Sequence, residues 1–168
     1  MKYANEWESV KLGDTLIIGS GRDYKHLGEG SIPVYGSGGV MTYVDQFLYE
    51  GESIGIGRKG TINKPVFLQG KFWTVDTLFY TRSFKKCIPK FIYYTFLTIN
   101  WLKHNEAGGV PSLSKINIEN IFVGIPCISE QQKIADFLTA IDDKISLVEQ
   151  QISNTELWKK GLLQQMFV

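Results

Sequence analysis

The chain has 168 residues, of which 43% are hydrophobic and 21% charged, and these values exclude an intrinsically disordered protein. The length predicts one globular unit with an appendage. Its two cysteines, Cys87 and Cys127, stand far apart and outside any paired motif, which excludes a disulfide framework and a cysteine zinc site. No apolar run is long enough to span a bilayer, and no signal-peptide pattern opens the sequence, so we expect a cytoplasmic protein without a membrane partner.

Charge and composition both change near residue 128. Residues 1–128 carry 14 Lys+Arg and 11 Asp+Glu, a net charge of +3, whereas residues 129–168 carry 4 and 6, a net charge of −2. Of the 17 glycines, 15 precede residue 110, and all five prolines precede residue 128. We therefore predict an α+β protein with a glycine-rich, mixed-sheet domain over 1–128 and a helical segment over 129–168.

Short strands separated by glycine turns dominate the first region. Small or β-branched and aromatic residues predict strands at Ser53–Gly57, Phe72–Thr81 and Ile121–Ile125. One helix is expected among them, because Pro89 suits a first helical position and no Gly or Pro follows until Gly108. This helix, over 90–105, is apolar on nearly every side, so we expect it to be buried.

The second region has the pattern of a long coiled-coil helix. Ser129 is a candidate N-cap, with Gln132 completing a capping box. Apolar residues then follow at alternating steps of four and three, which is a heptad seam: Ile134, Leu138, Ile141, Ile145, Val148 and Ile152. Forty residues would make a rod of up to ~60 Å, too long for the first domain to cover. The seam predicts a dimer interface with a second copy; the alternative is a helix folded back on its own domain.

The segment Gly55–Gly60 matches the dinucleotide-binding pattern G-x-G-x-x-G, but Thr61 and Pro65 oppose the helix that such a site requires. A tight hairpin is the better prediction. Its basic and polar side chains suit DNA phosphates and base edges, and they are Arg58, Lys59, Thr61, Asn63 and Lys64. A solvated turn is the alternative.

Three other glycine-rich loops carry candidate DNA contacts. The loop at 19–26 offers Arg22, Tyr24 and Lys25; the loop at 33–39 offers Tyr35 and Ser37; the loop at 108–115 offers Ser112, Ser114 and Lys115. Glycine lets a backbone turn sharply or approach a ligand closely. Plain structural turns are the alternative for all three loops.

No catalytic constellation is recognisable. The sequence has no H-E-x-x-H or G-x-S-x-G motif, and His26 and His104 are isolated. We therefore expect no metal, no cofactor and no enzymatic activity. A binding protein is favoured over an enzyme, and the alternatives are a coiled-coil adaptor that reads no DNA and a nucleotide-dependent enzyme.

Five segments, taken in order, resemble the DNA specificity subunit of type I restriction-modification systems. They are Glu6–Asp14, Ile32–Gly39, Ile56–Thr61, Phe72–Phe79 and Ser129–Ala135. The resemblance implies that the first domain reads half of a split DNA site. It also implies that the helix is the spacer region on which adenine methyltransferase subunits dock, with the restriction translocase subunit joining through them.

A full subunit of that family holds two recognition domains and two spacer helices, whereas this sequence holds one of each. We therefore expect the chain to pair with a second copy through antiparallel helices, as a homodimer. Two identical reading domains related by a twofold axis predict an interrupted palindrome as the DNA target.

Overall fold

The computed structural model describes residues 7–167. The chain divides into two compact units, one ending at Gln132 and the other beginning at Lys133. The first unit holds the sheets and the short helices, and the second is a helix. The α+β class is therefore confirmed. The predicted domain boundary, at residue 128, lies four residues before the end of the first unit, within the first helical turns.

The described strands and helices follow in chain order. The strands are β1 (Glu8–Lys11), β2 (Ile17–Ser20), β3 (Glu29–Gly36), β4 (Gly39–Val44), β5 (Tyr49–Glu50), β6 (Ser53–Gly57), β7 (Val66–Leu68), β8 (Lys71–Thr74), β9 (Leu78–Arg82) and β10 (Phe122–Ile125). The helices are α1 (Leu12–Thr15), α2 (Pro89–Thr98), a 3₁₀ turn (Trp101–His104), α3 (Lys115–Glu119) and α4 (Ile128–Met166).

The described strands of the first unit form three sheets. One is antiparallel in the order β2-β9-β6-β7, and a short pair joins β1 to β10. The third has the order β4-β3-β8-β5, in which β3 and β8 run parallel while the other pairs are antiparallel. The predicted mixed sheet is thus present, and its parallel pair joins Val34 to Trp73 and Tyr35 to Thr74.

The predicted strand over Phe72–Thr81 was wrong in its continuity. A turn interrupts it, because the N–H of Leu78 donates to the carbonyl of Val75 at 2.9 Å. The residues on either side are strand, as their β-branched and aromatic character predicted, but β8 and β9 belong to different sheets. The three turn residues, 75–77, consequently connect a strand of one sheet to a strand of another.

The predicted buried helix is present as α2 but ends at Thr98, well before residue 105. Its last turn tightens, since the Phe96 carbonyl accepts from the N–H of Ile99 at 3.3 Å and from the indole Nε1 of Trp101 at 2.9 Å. Four of its side chains are buried, whereas Leu97 is exposed. The helix is therefore buried on one side, not nearly all round.

The long helix α4 begins at Ile128 and continues for 39 residues. The carbonyl of Cys127 accepts hydrogen bonds from the N–H groups of Glu130 and Gln131, both at 3.0 Å. The helix thus begins before Ser129, and the prediction of Ser129 as its N-cap was wrong. The N-cap position belongs to Cys127, a residue without the hydroxyl or carboxylate that normally signals a helix start.

Candidate nucleic-acid interface

The basic loop after β6 is a tight turn that leads into a strand. A Cβ at Gly57 would overlap the carbonyl of Thr61, so glycine is required where the chain folds back. Gly60 has a φ of +84°, a conformation that residues with a side chain rarely adopt. The loop runs on into β7, so no helix follows the glycines. The dinucleotide-binding interpretation is excluded, and Arg58 and Lys59 lie exposed at the turn.

Main-chain hydrogen bonds join this loop to the loop that precedes α3. The N–H of Leu113 donates to the carbonyl of Arg58 at 2.9 Å, and the N–H of Gly60 donates to that of Pro111 at 2.9 Å. Lys59 and Ser112 form an isolated antiparallel bridge. Two segments more than fifty positions apart in sequence are therefore held side by side by backbone hydrogen bonds.

The same loop is also joined to the turn between β8 and β9. The Thr77 carbonyl accepts from the N–H of Arg58 at 2.8 Å and from that of Lys59 at 3.4 Å. The Nη1 atom of Arg58 lies 3.5 Å from the Asp76 carbonyl. On the other side of this turn, the N–H of Arg22 donates to the Thr74 carbonyl at 2.8 Å. The turn thus connects the loops predicted at residues 19–26 and 55–65.

A cavity of about 390 Å³, called here the cationic cavity, opens where the basic loop meets the loop before α3. It is lined by Ser20, Arg58, Lys59, Phe79, Glu106, Ser112, Leu113, Ser114 and Lys115. Three cationic side chains, against the one carboxylate of Glu106, and the hydroxyls of Ser20 and Ser112 suit an anion with several oxygen atoms, such as a DNA phosphate. The guanidinium carbon of Arg58 lies 5.8 Å from the centre of the Phe79 ring, which supports the side chain from one face.

The loop on the far wall of the cationic cavity is fixed by its own side chains. The Oδ1 atom of Asn105 accepts from the N–H of Ser112 at 2.8 Å, and the hydroxyl of Ser114 donates to Oε1 of Glu106 at 2.7 Å. The same Ser114 hydroxyl accepts from the N–H of Asn117 at 3.2 Å and so caps α3. Ser114 therefore holds the loop in shape as well as lining the cavity.

A second and wider opening of about 750 Å³, called here the wide cleft, lies between the loop after β2 and the β3–β4 hairpin. It is lined by Asp23, Tyr24, Lys25, Gly36, Ser37, Gly38, Met41, Val75, Asp76 and Thr77. Its side chains include hydroxyls, carboxylates and an ammonium group, which are the donors and acceptors that distinguish base edges in a DNA groove. The turn at 75–77 lines this cleft and also bonds to Arg58, so the two openings share one loop face.

Eight of the thirteen side chains predicted to contact DNA line one of the two openings. Arg58, Lys59, Ser112, Ser114 and Lys115 line the cationic cavity, and Tyr24, Lys25 and Ser37 line the wide cleft. All eight come from the four glycine-rich loops singled out in the sequence. Their role in binding DNA stays a prediction.

The other five predicted contacts lie outside the two openings. Arg22, Asn63 and Lys64 are exposed, and Thr61 is half-buried. Tyr35 is also half-buried, and its ring centre lies 6.4 Å from that of Phe72, so it packs against the core of the first unit. A DNA role for these five stays a prediction, and for Tyr35 the structure shows a packing role.

Several lining residues were not anticipated. Asp76, Thr77 and Phe79 lie in the segment predicted as one continuous strand, and that prediction did not place them beside the loops. Met41 lies two residues after a glycine cluster and Glu106 two residues before another, so nearness to a glycine loop could have identified both. Ser20 ends β2 and lies inside the glycine-rich loop at 19–26, so its position in that loop was a signal.

The predicted dimer seam lies on the helix of the second unit. Ile141, Ile145, Val148 and Ile152 are between 41% and 54% exposed, a large fraction for β-branched apolar side chains. They recur along a helix that is continuous to Met166. Ile134 and Leu138, at the start of the seam, are half-buried. The exposed part of the seam is an apolar stripe of the kind that pairs in coiled coils.

Across residues 7–167, no three His, Cys, Asp or Glu side chains gather as a metal site would require. Over the same residues no helix has the length and apolar content needed to cross a membrane.

The family of this chain is indicated by its similarity to known proteins. The family model described as the type I restriction modification DNA specificity domain matches residues 4–156. The chain belongs to this family. The match takes in all of the loops described above and most of the long helix, so the resemblance of the five sequence segments to type I specificity subunits is confirmed.

Curated relatives carry the same family name. A Haemophilus influenzae protein named as a type I restriction enzyme specificity subunit is 26% identical over 116 residues, which cover 67% of this chain and 30% of that protein. The type I restriction enzyme MjaVIII specificity subunit of Methanocaldococcus jannaschii is 30% identical over 125 residues, covering 71% of this chain and 27% of that one. The chain thus matches less than a third of the length of these relatives.

Solved structures share the fold. The S subunit of a type I restriction-modification system from M. genitalium superposes with a TM-score of 0.75 at 14% identity, over 86% of this chain and 41% of that one. The HsdS subunit of Thermoanaerobacter tengcongensis gives a TM-score of 0.61 at 14% identity, over 87% and 40%. At this identity the likeness shows the fold alone, and it includes mixed sheets together with a long C-terminal helix.

Proposed function

We propose that the first unit binds double-stranded DNA in a sequence-specific manner through its loop face. The observation that carries this proposal is the joining of the basic loop, the loop before α3 and the turn at 75–77 by main-chain hydrogen bonds. The main chain of loops fixed in this way is already positioned before DNA arrives, so little backbone conformational entropy is lost on binding. Family membership and the names of the relatives support DNA as the ligand.

The two openings suit different parts of a DNA duplex. The cationic cavity presents Arg58, Lys59 and Lys115, whose charges attract phosphates whatever the sequence. The wide cleft presents a mixture of donors and acceptors, and only such groups can distinguish base pairs. We assign the first to anchoring the DNA backbone and the second to reading base edges.

The chain is proposed to act without chemistry of its own, as the specificity subunit of a type I restriction-modification complex. In that role it directs adenine methyltransferase subunits, and through them the restriction translocase subunit, to a bipartite target in the cytoplasm. The reading of DNA separates this role from that of a coiled-coil adaptor. Neither a metal nor a cofactor is invoked.

Self-pairing through α4 is proposed as the source of the second reading domain. The exposed seam from Ile141 to Ile152 supplies the apolar stripe, and twofold pairing is the commonest closed assembly of identical chains. A helix of 39 residues has a length of about 58 Å, which corresponds to about 17 base pairs of B-DNA. The helix would then set the spacing between two identical half-sites.

The decisive experiment is a single-molecule map of methylated adenines in cells that co-express this chain and a matching methyltransferase subunit. We expect methylation at a split palindromic motif. The triple variant Arg58→Ala, Lys59→Ala, Lys115→Ala is expected to lose methylation, whereas the matched variant Lys71→Ala, Lys85→Ala, Lys103→Ala, whose residues line neither opening, is expected to retain it.

Other results of that experiment would count against specific parts of the proposal. A split but asymmetric motif would keep DNA reading and overturn self-pairing, because two identical domains cannot read different half-sites. Methylation without any sequence preference, or none at all, would overturn DNA reading and favour the adaptor.

A further inference from the structure

The wide cleft contains one apolar side chain that is open to solvent. Of the apolar residues lining it, Val75 is only 7% exposed, whereas Met41 is 57% exposed. The remaining lining groups are glycines or carry hydroxyls, charges or a phenol. Met41 is therefore the apolar contact that the wide cleft offers to a ligand.

The position of Met41 is fixed by the hairpin that carries it. Gly36 pairs with Gly39 across a two-residue turn formed by Ser37 and Gly38, and Gly39 adopts a φ of +116°. A Cβ added at Gly36 would lie 2.6 Å from the Met41 sulfur, so the glycine leaves the space in which the thioether sits. Met41 is thus held beside the turn at the edge of the cleft.

We propose that Met41 contacts the 5-methyl group of a thymine in the major groove and is a specificity-determining residue. This inference rests on the proposed function, since it requires that the cleft reads DNA. A thioether placed against a polar base edge would leave donors or acceptors without hydrogen bonds, at a cost in binding free energy. The apolar group that a major groove offers is the thymine methyl, and the flexible, polarizable side chain of Met fits such a contact.

The surroundings of Met41 favour DNA over a protein partner. Lys25 lies in the same cleft and suits a phosphate, while Asp23, Tyr24 and Ser37 suit polar base edges. A stable protein interface buries about 800 Å² on each partner around an apolar centre. Although Val40 and Tyr43 of the same strand are exposed, Met41 is the one exposed aliphatic side chain in the lining of the cleft, so the cleft itself does not provide such a centre. Continuity with the cationic cavity through the turn at 75–77 places the cleft on the face proposed to meet DNA.

The test replaces thymine by uracil, which removes only the methyl group. The complex of this chain with its methyltransferase subunit is titrated with duplexes that carry the mapped motif, with each thymine in turn changed to 2′-deoxyuridine. For the unaltered chain we expect about a fourfold loss of affinity at one position, as burial of a single methyl group predicts. The variant Met41→Gln, of similar length but polar, should bind the two duplexes equally, and Met41→Leu should retain the discrimination.

The outcomes separate this inference from the proposed function. If every position tolerates uracil while the motif is still methylated, the Met41 contact is overturned and DNA reading stands. If Met41→Gln discriminates as the unaltered chain does, the contact belongs to another residue. If Met41→Gln instead releases the methyltransferase subunit in size-exclusion chromatography, the cleft edge docks protein. Absence of any methylated motif overturns both proposals.

Discussion

The side chain of Gln131 holds the main chain of Ile88: its Oε1 atom accepts a hydrogen bond from the Ile88 N–H at 2.9 Å. The same amide donates through Nε2 to the carbonyl of Lys86 at 3.0 Å and to that of Pro126 at 2.8 Å. Gln131 is completely buried, although glutamine is usually exposed. One amide therefore satisfies three main-chain groups and joins the start of α4 to the loop before α2, all within the first unit.

Replacing Gln131 by Leu should be strongly destabilising. The substitution takes away the partner of one N–H and two carbonyl groups, of which the bond to Pro126 is buried and those to Ile88 and Lys86 are partly buried. We expect the free energy of unfolding, measured by urea denaturation followed by circular dichroism, to fall by about 2–5 kcal/mol. Gln150→Leu is the matched control, since Gln150 is exposed on α4. Equal effects of the two substitutions would contradict the stabilising role of the Gln131 hydrogen bonds.

The two side chains at the turn of the basic loop should contribute to the salt dependence of DNA binding. With Arg58→Ala and Lys59→Ala combined, we expect weaker binding by the assembled complex because phosphate contacts are lost. The slope of log K against log salt concentration should fall by about 0.9 for each contact removed. A salt titration by fluorescence anisotropy measures it, with Lys85→Ala and Lys103→Ala as the control, and an unchanged slope would reject the assignment.

Self-association should depend on the exposed seam of α4. Ile141→Asp combined with Ile145→Asp would bury unpaired charges in a paired coil, at a cost of several kcal/mol. We expect the dissociation constant of the dimer to rise at least ~100-fold in sedimentation equilibrium. Gln150→Asp adds a charge to the same helix outside the seam and should leave the dimer intact. A dimer that persists in the double variant would show that the seam is not the contact.

Two buried threonines, Thr74 and Thr81, differ in whether their hydroxyl oxygen has a hydrogen-bond partner. The Oγ1 atom of Thr74 is buried, and within residues 7–167 it has no hydrogen-bond partner. The Oγ1 atom of Thr81, also buried, accepts from the N–H of Ile54 at 2.8 Å. Thr74→Val should raise the free energy of unfolding by about 1 kcal/mol, whereas Thr81→Val should lower it by about 1–3 kcal/mol. Similar losses for both variants in urea denaturation would contradict this account.

The two cysteines should differ in reactivity. The hydrogen bond with the Ser129 hydroxyl, at 3.2 Å, is the main cause that lowers the pKa of the exposed Cys127 thiol, while burial raises the pKa of Cys87. Since the thiolate is the reactive form, iodoacetamide should alkylate Cys127 first and at a lower pH than an ordinary cysteine. Ser129→Ala should move the rate profile to higher pH, as followed by mass spectrometry from pH 6 to 9. Equal rates for the two native cysteines would disprove the difference.

Local patterns in the sequence predicted the elements whose formation depends on near neighbours. The heptad spacing from Ile134 to Ile152 predicted α4, and the glycine clusters predicted four loops that lie together. The sequence did not predict the turn at 75–77, because β-branched and aromatic residues continue across it. The turn depends on long-range pairing, since β8 pairs with β3 in one sheet whereas β9 belongs to another. Likewise, Gln131 differs from the exposed Gln132 beside it through its hydrogen bonds, two of which reach Ile88 and Lys86, more than forty positions away.

The hydrogen bonds that join the basic loop to the loop before α3 are formed by backbone atoms, so the side chains on these loops can change without breaking them. The carbonyl of Arg58 and the N–H of Gly60 keep their partners whatever side chains stand at positions 58, 59 and 112. Substitution there alters the chemistry presented to a ligand while the loops stay in register. A new DNA preference could therefore arise one side chain at a time, by inheritance or by engineering, without a new fold having to be found.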